Sequence, residues 1–357
     1  MITNKSLEVV MLGAGFNVMG GISSVEKLIF NQGINEVNLK HIATLQDVST
    51  VEKILVFSRA VFHFVKTLLK EPVDLVHIHF SSRGSTFRAL ILIIIVLIFR
   101  KPIILHSHGS GFHIFYAHQP SISRKLISYL FNKCHRFIVL SNSWKEFYIK
   151  TVGLEESKIV VLQNPVKFPS SIEYNKSLNT VKFLFLGRIG ERKGAFELIK
   201  AFSLLPVEQR NLATLTIAGD GDAEEARNLV KELNLTEKIT ILDWVNSEER
   251  DALLAESDTF ILPSHNEGLP MAMIEAMGFG LSIITTPVGG IPELISNGDN
   301  GILVEPGNIQ KLSSAMQSLI EDKELRNSLG IRAKESVASL DIEKYCLSLK
   351  SVYRELV

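Results

Sequence analysis

Two glutamates eight positions apart are the first candidates for chemistry in this chain. Glu267 and Glu275 lie in EGLPMAMIE, which follows the apolar run TFILP. Pro270 suits the first position of a helix, which leaves residues 264–269 as a loop at the helix N-terminus. Backbone N–H groups favour negative charge there, so the loop offers an anion site beside a carboxylate, as a pyrophosphate with a neighbouring sugar would require. As a bare pattern, the two glutamates could also be unrelated solvated carboxylates.

Glycines after the first apolar run raise a second possibility, a dinucleotide-binding turn. GAGFNVMGG follows LEVVML, and Gly13 and Gly15 fit the first two positions of G-x-G-x-x-G. Val18 stands where the third glycine belongs, and no acidic residue caps a second strand about 20 positions on, so a nicotinamide-dependent enzyme is not predicted. Gly20 and Gly21 instead begin the next helix, where bare N–H groups suit an anion or a close substrate; a plain flexible turn is the alternative.

The loops that carry these residues need a scaffold of short buried strands. In the first half, apolar runs predict strands at 8–12, 73–79, 102–106 and 136–140. In the second half, they predict strands at 181–187, 213–218, 239–242, 258–262 and 282–285. Helix-like segments separate most of these strands, which is typical of βαβ units with parallel sheets, so the predicted fold class is α/β.

The stretch QNPVKFPSSIEYNKSLNT, residues 163–180, interrupts this alternation because it is rich in Asn, Pro and Ser. We therefore predict an N-terminal domain over 1–166, a linker over 167–180 and a second domain over 181–335, with a cleft between the two domains. A C-terminal helix over 336–357 could pack back on the N-terminal domain.

Charge divides the chain although its formal net charge is zero. Residues 1–167 carry 19 Lys and Arg against 10 Asp and Glu, a net +9, and the remainder carries 19 against 28, a net −9. The basic half suits an anionic surface or substrate; chance variation of surface charge is the alternative. Cys134 and Cys346 have no paired spacing, which argues against a disulfide framework or a zinc site and fits a reducing compartment. No secretory leader is recognised, so a cytoplasmic location is expected.

The apolar segment ALILIIIVLIF, residues 89–99, is too short to span a membrane, because a spanning helix needs about 20 apolar residues. One interpretation is a helix buried against the sheet. The other is a helix partly sunk in the membrane interface, since Arg88, Arg100 and Lys101 flank the segment and basic residues around an apolar face favour anionic lipid.

Five ordered blocks in the second half resemble the retaining GT-B glycosyltransferases of glycosyltransferase family 4. They are FLGRIGERKGAFELIKAF (185–202), IAGDGDAEE (217–225), ILDWVNSEERDALLAESDTFILPS (241–264), EGLPMAMIEAMGFG (267–280) and PVGGIPELISNGDNGILV (287–304). VDLVHIHF, PIILHSHG and the pair Gly20-Gly21 are similar to the first-half blocks of that family. The resemblance covers nearly the whole chain, and it implies two Rossmann-like αβ domains that face each other across a cleft.

The resemblance implies transfer of a hexose from a nucleotide diphosphate sugar to a hydroxyl acceptor, with retention of the anomeric configuration and without a metal or other cofactor. Arg188 and Lys193 would stabilise the departing diphosphate, since Arg can bind two phosphate oxygens and Lys acts as a point charge. Surface charge at a helix start is the alternative for this pair. Asp220-Gly221-Asp222 has the spacing of a metal motif but falls where the family has a loop.

Further roles follow from the same resemblance. Glu275 would bind the ribose hydroxyls, and Glu267 would face the donor sugar. Gly268, Leu269 and Pro270 would lie beside the sugar or phosphates, Trp244 and Val245 beside the base, and Gly20 and Gly21 on the first-half wall of the donor site.

Histidines of the first half form two His-x-His pairs. His108 matches the family histidine near the reacting centre, where an imidazole could orient a hydroxyl or shield developing charge. Only one of His106 and His108 is expected to face the cleft. His77 and His79 are interpreted as core or supporting residues; their spacing also suits metal ligands, but no carboxylate or thiol cluster accompanies them in the sequence.

The acceptor is predicted to bind the basic and apolar first half. A glycan or a polyprenyl-diphosphate-linked acceptor would suit that surface, in capsule, O-antigen or exopolysaccharide synthesis at the inner face of the cytoplasmic membrane, with peripheral contact to anionic lipid. A UDP-sugar is favoured over GDP-mannose as the donor, and no nucleic acid partner is expected. A sugar-nucleotide epimerase, a phosphorylase on a similar scaffold and a non-catalytic binding relative remain as alternatives.

Overall fold

The computed structural model describes residues 6–169 and 180–357. Clustering of contacts divides the chain into two compact units. Unit 1 contains Met1–Pro165 and Leu340–Val357, and unit 2 contains Val166–Ser339. Most of the predicted linker, residues 170–179, lies outside the described residues.

Unit 1 is built on a parallel sheet with the strand order β2-β1-β3-β4-β5-β6. Its strands are β1 (Leu7–Ala14), β2 (Val37–Leu45), β3 (Leu75–Phe80), β4 (Ile103–Ser107), β5 (Arg136–Val139) and β6 (Ile159–Val161). Its first helices are α1 (Gly21–Gln32), α2 (Thr50–Lys70), α3 (Gly84–Ile98), α4 (Phe112–Ala117), α5 (Ser121–Asn132) and α6 (Asn142–Phe147). Every residue of β3 and β4 is buried, as expected for parallel strands covered on both faces.

Unit 2 repeats this architecture with the strand order β12-β11-β10-β7-β8-β9. Its strands are β7 (Val181–Leu186), β8 (Ala213–Ala218), β9 (Ile239–Leu242), β10 (Thr259–Leu262), β11 (Ser282–Thr285) and β12 (Ile302–Leu303). Its helices are α7 (Ala195–Ser203), α8 (Val207–Asn211), α9 (Ala223–Glu232), α10 (Ser247–Glu256), α11 (Met271–Gly278), α12 (Ile309–Glu321) and α13 (Lys323–Ser336). The α/β class predicted from the sequence is therefore confirmed.

The last helix, α14 (Ile342–Arg354), returns to unit 1 and packs against α1. Tyr353 is fully buried there, and its hydroxyl lies 2.8 Å from His77 Nδ1. Lys350 and Arg354 form ion pairs with Glu36 at 2.7 and 3.2 Å. Five residues, 337–341, connect α13 of unit 2 to this helix.

Both sheets reverse their strand order at one point, and loops at such a point commonly form binding sites in open α/β sheets. In unit 2 the reversal lies between β7 and β10. In unit 1 it lies between β1 and β3. Because all strands are parallel, the loops that follow two neighbouring strands leave the sheet at the same edge and can meet there.

The apolar segment 89–99 lies in α3 and the residue that follows it, and one side of it is buried against the sheet, as the first interpretation predicts, whereas contact with a membrane stays a prediction. Ala89, Leu92, Ile93 and Val96 are buried against unit 1. The opposite side of α3 is apolar and exposed, with Ile98 at 72% exposure. Among the described residues, no helix is both long and apolar enough to cross a membrane.

Candidate functional site

The loops after β7 and β10 bring Lys193 and Glu267 into contact at the reversal point of unit 2. Lys193 Nζ lies 2.5 Å from Glu267 Oε1, and the side chains are only 16% and 6% exposed. Ser264 Oγ donates to the same carboxylate oxygen at 2.8 Å. Two of the residues predicted from the sequence, 74 positions apart, therefore form a buried ion pair that leaves Glu267 Oε2 with acceptor capacity.

Close backbone packing holds these two loops together. Gly194 has φ 72°, and a Cβ at this position would lie 2.2 Å from the carbonyl oxygen of Pro263. Only glycine fits such an approach with a left-handed backbone. The N–H of His265 donates to the carbonyl of Arg192 at 2.9 Å, and the Arg192 guanidinium donates to the carbonyl of Asn266 at 3.1 Å. The position of Lys193 is therefore fixed relative to the loop that carries Glu267.

A third loop, after β11, supports the loop after β10 from its other side. The N–H of Gly290 donates to the carbonyl of Gly268 at 2.7 Å. Gly289 has φ 59°, and a Cβ there would lie 2.0 Å from the carbonyl oxygen of Glu267. Leu269 is buried, and Pro270 immediately precedes α11 rather than forming its first residue as predicted. The segment 267–270 is thus enclosed by backbone on both sides.

Arg188 and Lys193 line one cavity of about 310 Å³ beside this pair. Arg188 is 66% exposed and lies 3.3 Å from Asp220, so its guanidinium is held only loosely. The cavity wall contains three cations and three carboxylates, namely Arg188, Arg192, Lys193, Glu191, Asp222 and Glu225. An anion entering it would be placed between Arg188 and Lys193 but would have to compete with Asp220 for the guanidinium.

Glu275 lies on the second turn of α11 and pairs with Arg250, a residue that the sequence analysis did not identify. Arg250 lies 3.0 Å from Glu275 Oε1, and the Glu275 side chain is 15% exposed. Burial raises the pKa of Glu275 to about 6, Arg250 opposes that rise, and the nearby Asp251 adds to it. The carboxylate is therefore ionised at neutral pH at an energetic cost, as is common for groups kept for binding.

Trp244 and Val245 follow β9, in the loop that precedes α10. The Trp244 side chain is 49% exposed. Asn246 then caps α10 through hydrogen bonds from the N–H groups of Glu248 and Glu249 at 2.9 and 3.0 Å. The indole is therefore exposed to solvent in the short loop between β9 and the capped helix α10.

Four histidines of unit 1 form a stack at the carboxyl ends of β3 and β4. His77, His79 and His106 are buried, and His108 follows β4 with partial exposure. The rings of His106 and His108 are 4.0 Å apart. The two rings lie on the same face, as residues two positions apart on a strand do, but His106 is fully buried and only His108 is partly exposed, so the expectation that one of them faces the site stays a prediction.

The nitrogen atoms of His77, His79 and His106 lie within 4.8 Å of one another. Ligand nitrogens around a tetrahedral zinc ion are about 3.4 Å apart, given Zn–N bonds of roughly 2.1 Å. A limit of 4.8 Å neither requires nor excludes that spacing, so the absence of a metal stays a prediction.

Glu26 of α1 is a second residue that the sequence analysis missed. It is fully buried and lies 3.0 Å from His41 and 3.8 Å from His79. A Cβ on Gly13 would lie 2.0 Å from Glu26 Oε1, so the first glycine of GAGFNVMGG makes room for this carboxylate. Gly20, with φ 144°, precedes α1, which begins at Gly21 as predicted.

Two family models match the chain. The model for Glycosyltransferase Family 4 matches residues 37–168, and the model for glycosyl transferases group 1 matches residues 168–336. Together they cover residues 37–336, from the start of β2 to the end of α13.

Similar proteins agree with these matches. The chain is 27% identical to the UDP-Gal:alpha-D-GlcNAc-diphosphoundecaprenol alpha-1,3-galactosyltransferase of Escherichia coli over 317 residues, which are 84% of this chain and 80% of that protein. It is 28% identical to the capsular polysaccharide biosynthesis glycosyltransferase CapM of Staphylococcus aureus over 59% of this chain and 60% of that one. The crystal structure of Anabaena HepE in complex with UDP has a TM-score of 0.78 at 18% identity and covers 98% of this chain and 100% of that chain, which shows a shared fold.

Proposed function

Because this chain belongs to the group 1 glycosyl transferases of glycosyltransferase family 4, we propose that it moves a hexose from a UDP-sugar to a hydroxyl of a glycan or lipid-linked acceptor. The fold is GT-B, with two Rossmann-like αβ units. The observation that carries the proposal is the Lys193–Glu267 pair at the reversal point of unit 2, beside the cavity that Arg188 lines.

The diphosphate of the donor is proposed to bind between Arg188 and Lys193. Negative charge accumulates on the leaving diphosphate as the glycosidic bond breaks, and preorganised cations stabilise it most in a site that excludes water. Lys193 is held in place by Glu267, whereas the exposed Arg188 would exchange its contact with Asp220 for two phosphate oxygens. This pair would supply the positive charge for which other glycosyltransferases use a metal ion.

The donor sugar is proposed to lie against the segment 267–270. Glu267 Oε1 is occupied by Lys193 and Ser264, and the other carboxylate oxygen can accept hydrogen bonds from sugar hydroxyls. The backbone of Gly268, Leu269 and Pro270 is proposed to lie beside the sugar or the phosphates. The acceptor oxygen would attack the face that the diphosphate leaves, and a diphosphate oxygen would take its proton, so the anomeric configuration is retained.

The nucleoside is proposed to be bound by Glu275 and by the loop of Trp244 and Val245. A carboxylate that is ionised at neutral pH can accept two hydroxyl hydrogen bonds from a ribose. The half-exposed indole offers an aromatic surface for the base. Gly20 and Gly21 remain proposed contacts of the donor from unit 1. The base is proposed to be uracil, in line with the UDP named for HepE and the UDP-Gal named for the Escherichia coli relative.

The acceptor is proposed to be a glycan or polyprenyl-diphosphate-linked sugar in capsule, O-antigen or exopolysaccharide synthesis. This rests on the diphosphoundecaprenol acceptor named for the Escherichia coli relative, on the capsular role named for CapM, and on the net +9 charge of residues 1–167. An anionic diphosphate on an apolar tail suits a surface that is both basic and apolar.

Peripheral contact with the cytoplasmic face of the membrane is proposed for the helices α2, α3 and α5 of unit 1, which contact each other in that order. Their exposed apolar residues include Val51, Ile54, Phe62, Leu69, Phe87, Ile91, Ile94, Ile98, Ile122, Leu126 and Tyr129. Arg100 and Lys101 follow α3, and Arg124 and Lys125 are exposed on α5. Basic residues around an exposed apolar surface favour anionic lipid.

The proposal is tested by the thermal midpoint with UDP, GDP or ADP, each without metal, followed by release of UDP from UDP-glucose or UDP-galactose. A nucleotide at 100 times its Kd should stabilise the protein by about 2.7 kcal/mol. We expect a shift with UDP that Glu275→Ala abolishes, and UDP release, with water as the acceptor, that Glu267→Ala lowers about 100-fold. A shift with GDP or ADP alone would refute the donor base, and conversion of the donor into a second UDP-sugar without release of UDP would favour an epimerase.

A further inference from the structure

His108 makes one hydrogen bond to another side chain, and that bond determines which of its nitrogens is available. Its Nε2 lies 2.8 Å from Nδ1 of His79, and the two rings stack at 5.1 Å. No hydrogen bond of His108 Nδ1 is found among residues 6–169 and 180–357. The nitrogen that can meet a substrate is therefore Nδ1, and Nε2 is engaged within the fold.

Each histidine of the stack is neutral, so each ring carries a single proton. The four rings lie 4.0 to 5.4 Å from a neighbour in the stack, and burial removes the water that an imidazolium would need. Burial lowers the pKa of His77 and of His108 to about 3, and that of His79 and His106 well below 6.5. The remaining question is which nitrogen of each ring holds the proton.

For His79 the surroundings answer this question. Its Nδ1 lies 2.8 Å from His108 Nε2, within hydrogen-bond distance, and 3.8 Å from a side-chain oxygen of Glu26, beyond it. Its Nε2 is buried and has no hydrogen-bond partner among the described residues. A buried N–H without an acceptor is costly, whereas a proton on Nδ1 has an acceptor in His108 Nε2, so the proton lies on Nδ1. His79 is the donor in the hydrogen bond to His108.

The proton of His108 follows from that assignment. Its Nε2 accepts from His79 and cannot carry a proton, so the single proton of the neutral ring lies on Nδ1. We propose that His79 is a positioning residue that fixes His108 as its Nδ1–H tautomer, so that His108 donates a hydrogen bond to a substrate oxygen and does not act as a base. This rests on the proposed function and on the role near the reacting centre that the family resemblance implies for His108.

The proposal sharpens the chemistry of transfer. A ring whose two nitrogens are a donor to substrate and an acceptor from His79 has no free lone pair with which to remove the acceptor hydroxyl's proton. The proton must then leave to another atom, and the departing diphosphate oxygen is the one that gains basicity as the glycosidic bond breaks. A donor at Nδ1 suits a hydroxyl, ring or phosphate oxygen of the donor sugar.

The first test reads the tautomer directly in the unmodified chain. With ¹⁵N-histidine label, long-range ¹H–¹⁵N correlation at neutral pH reports which nitrogen of each ring carries the proton, and His108→Ala assigns the His108 signals. We expect a protonated Nδ1 and a bare Nε2 for His108. A protonated Nε2 would overturn the proposal whatever the activity.

The second test uses three variants and the release of UDP from UDP-glucose. The Asn amide of His79→Asn can donate near the position of Nδ1, whereas His79→Leu keeps volume and has no donor. His77→Leu is the matched control, since His77 lies on the same face of β3 and bonds Tyr353 rather than His108. We expect His79→Leu to lose the Nδ1–H tautomer and at least tenfold in kcat with little change in KM, and His79→Asn and His77→Leu to keep both.

Outcomes separate this proposal from the function on which it rests. Wild-type kcat in His79→Leu, with an altered His108 tautomer, would overturn the positioning role while leaving the glycosyltransferase assignment intact. Wild-type kcat in His108→Ala would refute the role of His108 and the proposal with it. Absence of any nucleotide binding would refute the proposed function, and the tautomer would still be measurable.

Discussion

Glu275 should make unit 2 less stable at neutral pH than an uncharged side chain would. Its carboxyl has a pKa of about 6 in the folded chain against 4.5 for an ordinary glutamate, chiefly because it is buried. A difference of that size corresponds to about 2 kcal/mol between the two protonation states. Gln has nearly the shape of the neutral acid, so Glu275→Gln should raise the free energy of unfolding of unit 2 by about 2 kcal/mol above pH 7.

The pH dependence gives the sign of this effect. Between pH 4.5 and about 6 the unfolded chain has lost the Glu275 proton while the folded chain still holds it. Wild-type stability therefore falls relative to Glu275→Gln as the pH rises through this window, and the whole difference is present above it. Below pH 4.5 the acid is neutral in both states, and the two proteins should be equally stable.

Arg250 does not reverse this expectation. It lies 3.0 Å from Glu275, but it also lies 2.8 Å from Asp251, which remains in the variant. The raised pKa of Glu275 already includes the attraction of Arg250. Burial outweighs that attraction, so the net shift of the pKa is upward. The variant should gain stability and lose affinity for UDP at the same time, as expected for a residue kept for binding.

Urea unfolding measured from pH 4.5 to 8 tests this prediction. The chain has two tryptophans, one in each unit, so Trp144→Phe leaves Trp244 as the fluorescent probe of unit 2. Glu232→Gln, at an exposed glutamate of α9, is the matched control and should change nothing. A Glu275→Gln protein that is no more stable than wild type at pH 7.5, or a difference that does not shrink towards pH 4.5, would refute the reasoning.

Two further predictions concern the ion pair and the exposed helices. Glu267→Ala and Lys193→Ala should each lower kcat for UDP release by about 100-fold, as loss of a preorganised charge contact does. The control Lys200→Ala, on the exposed side of α7, should leave kcat unchanged. Equal rates in all three variants would show that the pair has no part in the mechanism. The double variant Ile91→Ser with Ile98→Ser should co-sediment less with phosphatidylglycerol vesicles than the wild type does. The control Ile331→Ser, at a similarly exposed position of unit 2, should co-sediment as the wild type does. Unchanged sedimentation of the double variant would argue against membrane contact through α3.

Nine of the twelve described strands follow from apolar runs in the sequence, and three do not. β2 was missed because it lies at the edge of the sheet, where VNLKHIATL mixes polar residues into a strand that is only partly buried. β6 and β12 have three and two residues, too few for any periodicity to emerge. Central parallel strands are buried on both faces and therefore form continuous apolar runs. Of the four edge strands, only β9 has a run clear enough to be predicted.

Part of the site could be predicted from the sequence for a different reason. The glycines around Lys193 and Glu267 stand at positions where a side chain could not fit. Their pattern in the sequence therefore already indicated that distant loops come close together. No such signal in the sequence pointed to Arg250 or Glu26. A charged residue on a helix is expected to be exposed to solvent unless its partner is known. Gly13 was the available clue to Glu26, because a side chain at Gly13 would clash with the Glu26 carboxyl group thirteen positions along the chain.

The return of α14 to unit 1 has a consequence for the order of events during synthesis. Unit 2 is one continuous stretch, whereas unit 1 buries Tyr353 against His77, which is 276 positions away in the chain. Contacts between residues so distant form slowly, because the intervening chain must first be brought together. Unit 2 can complete its fold as soon as it has left the ribosome, whereas unit 1 cannot pack His77 against Tyr353 until the last helix has been made. We therefore expect unit 1 to complete its fold after unit 2.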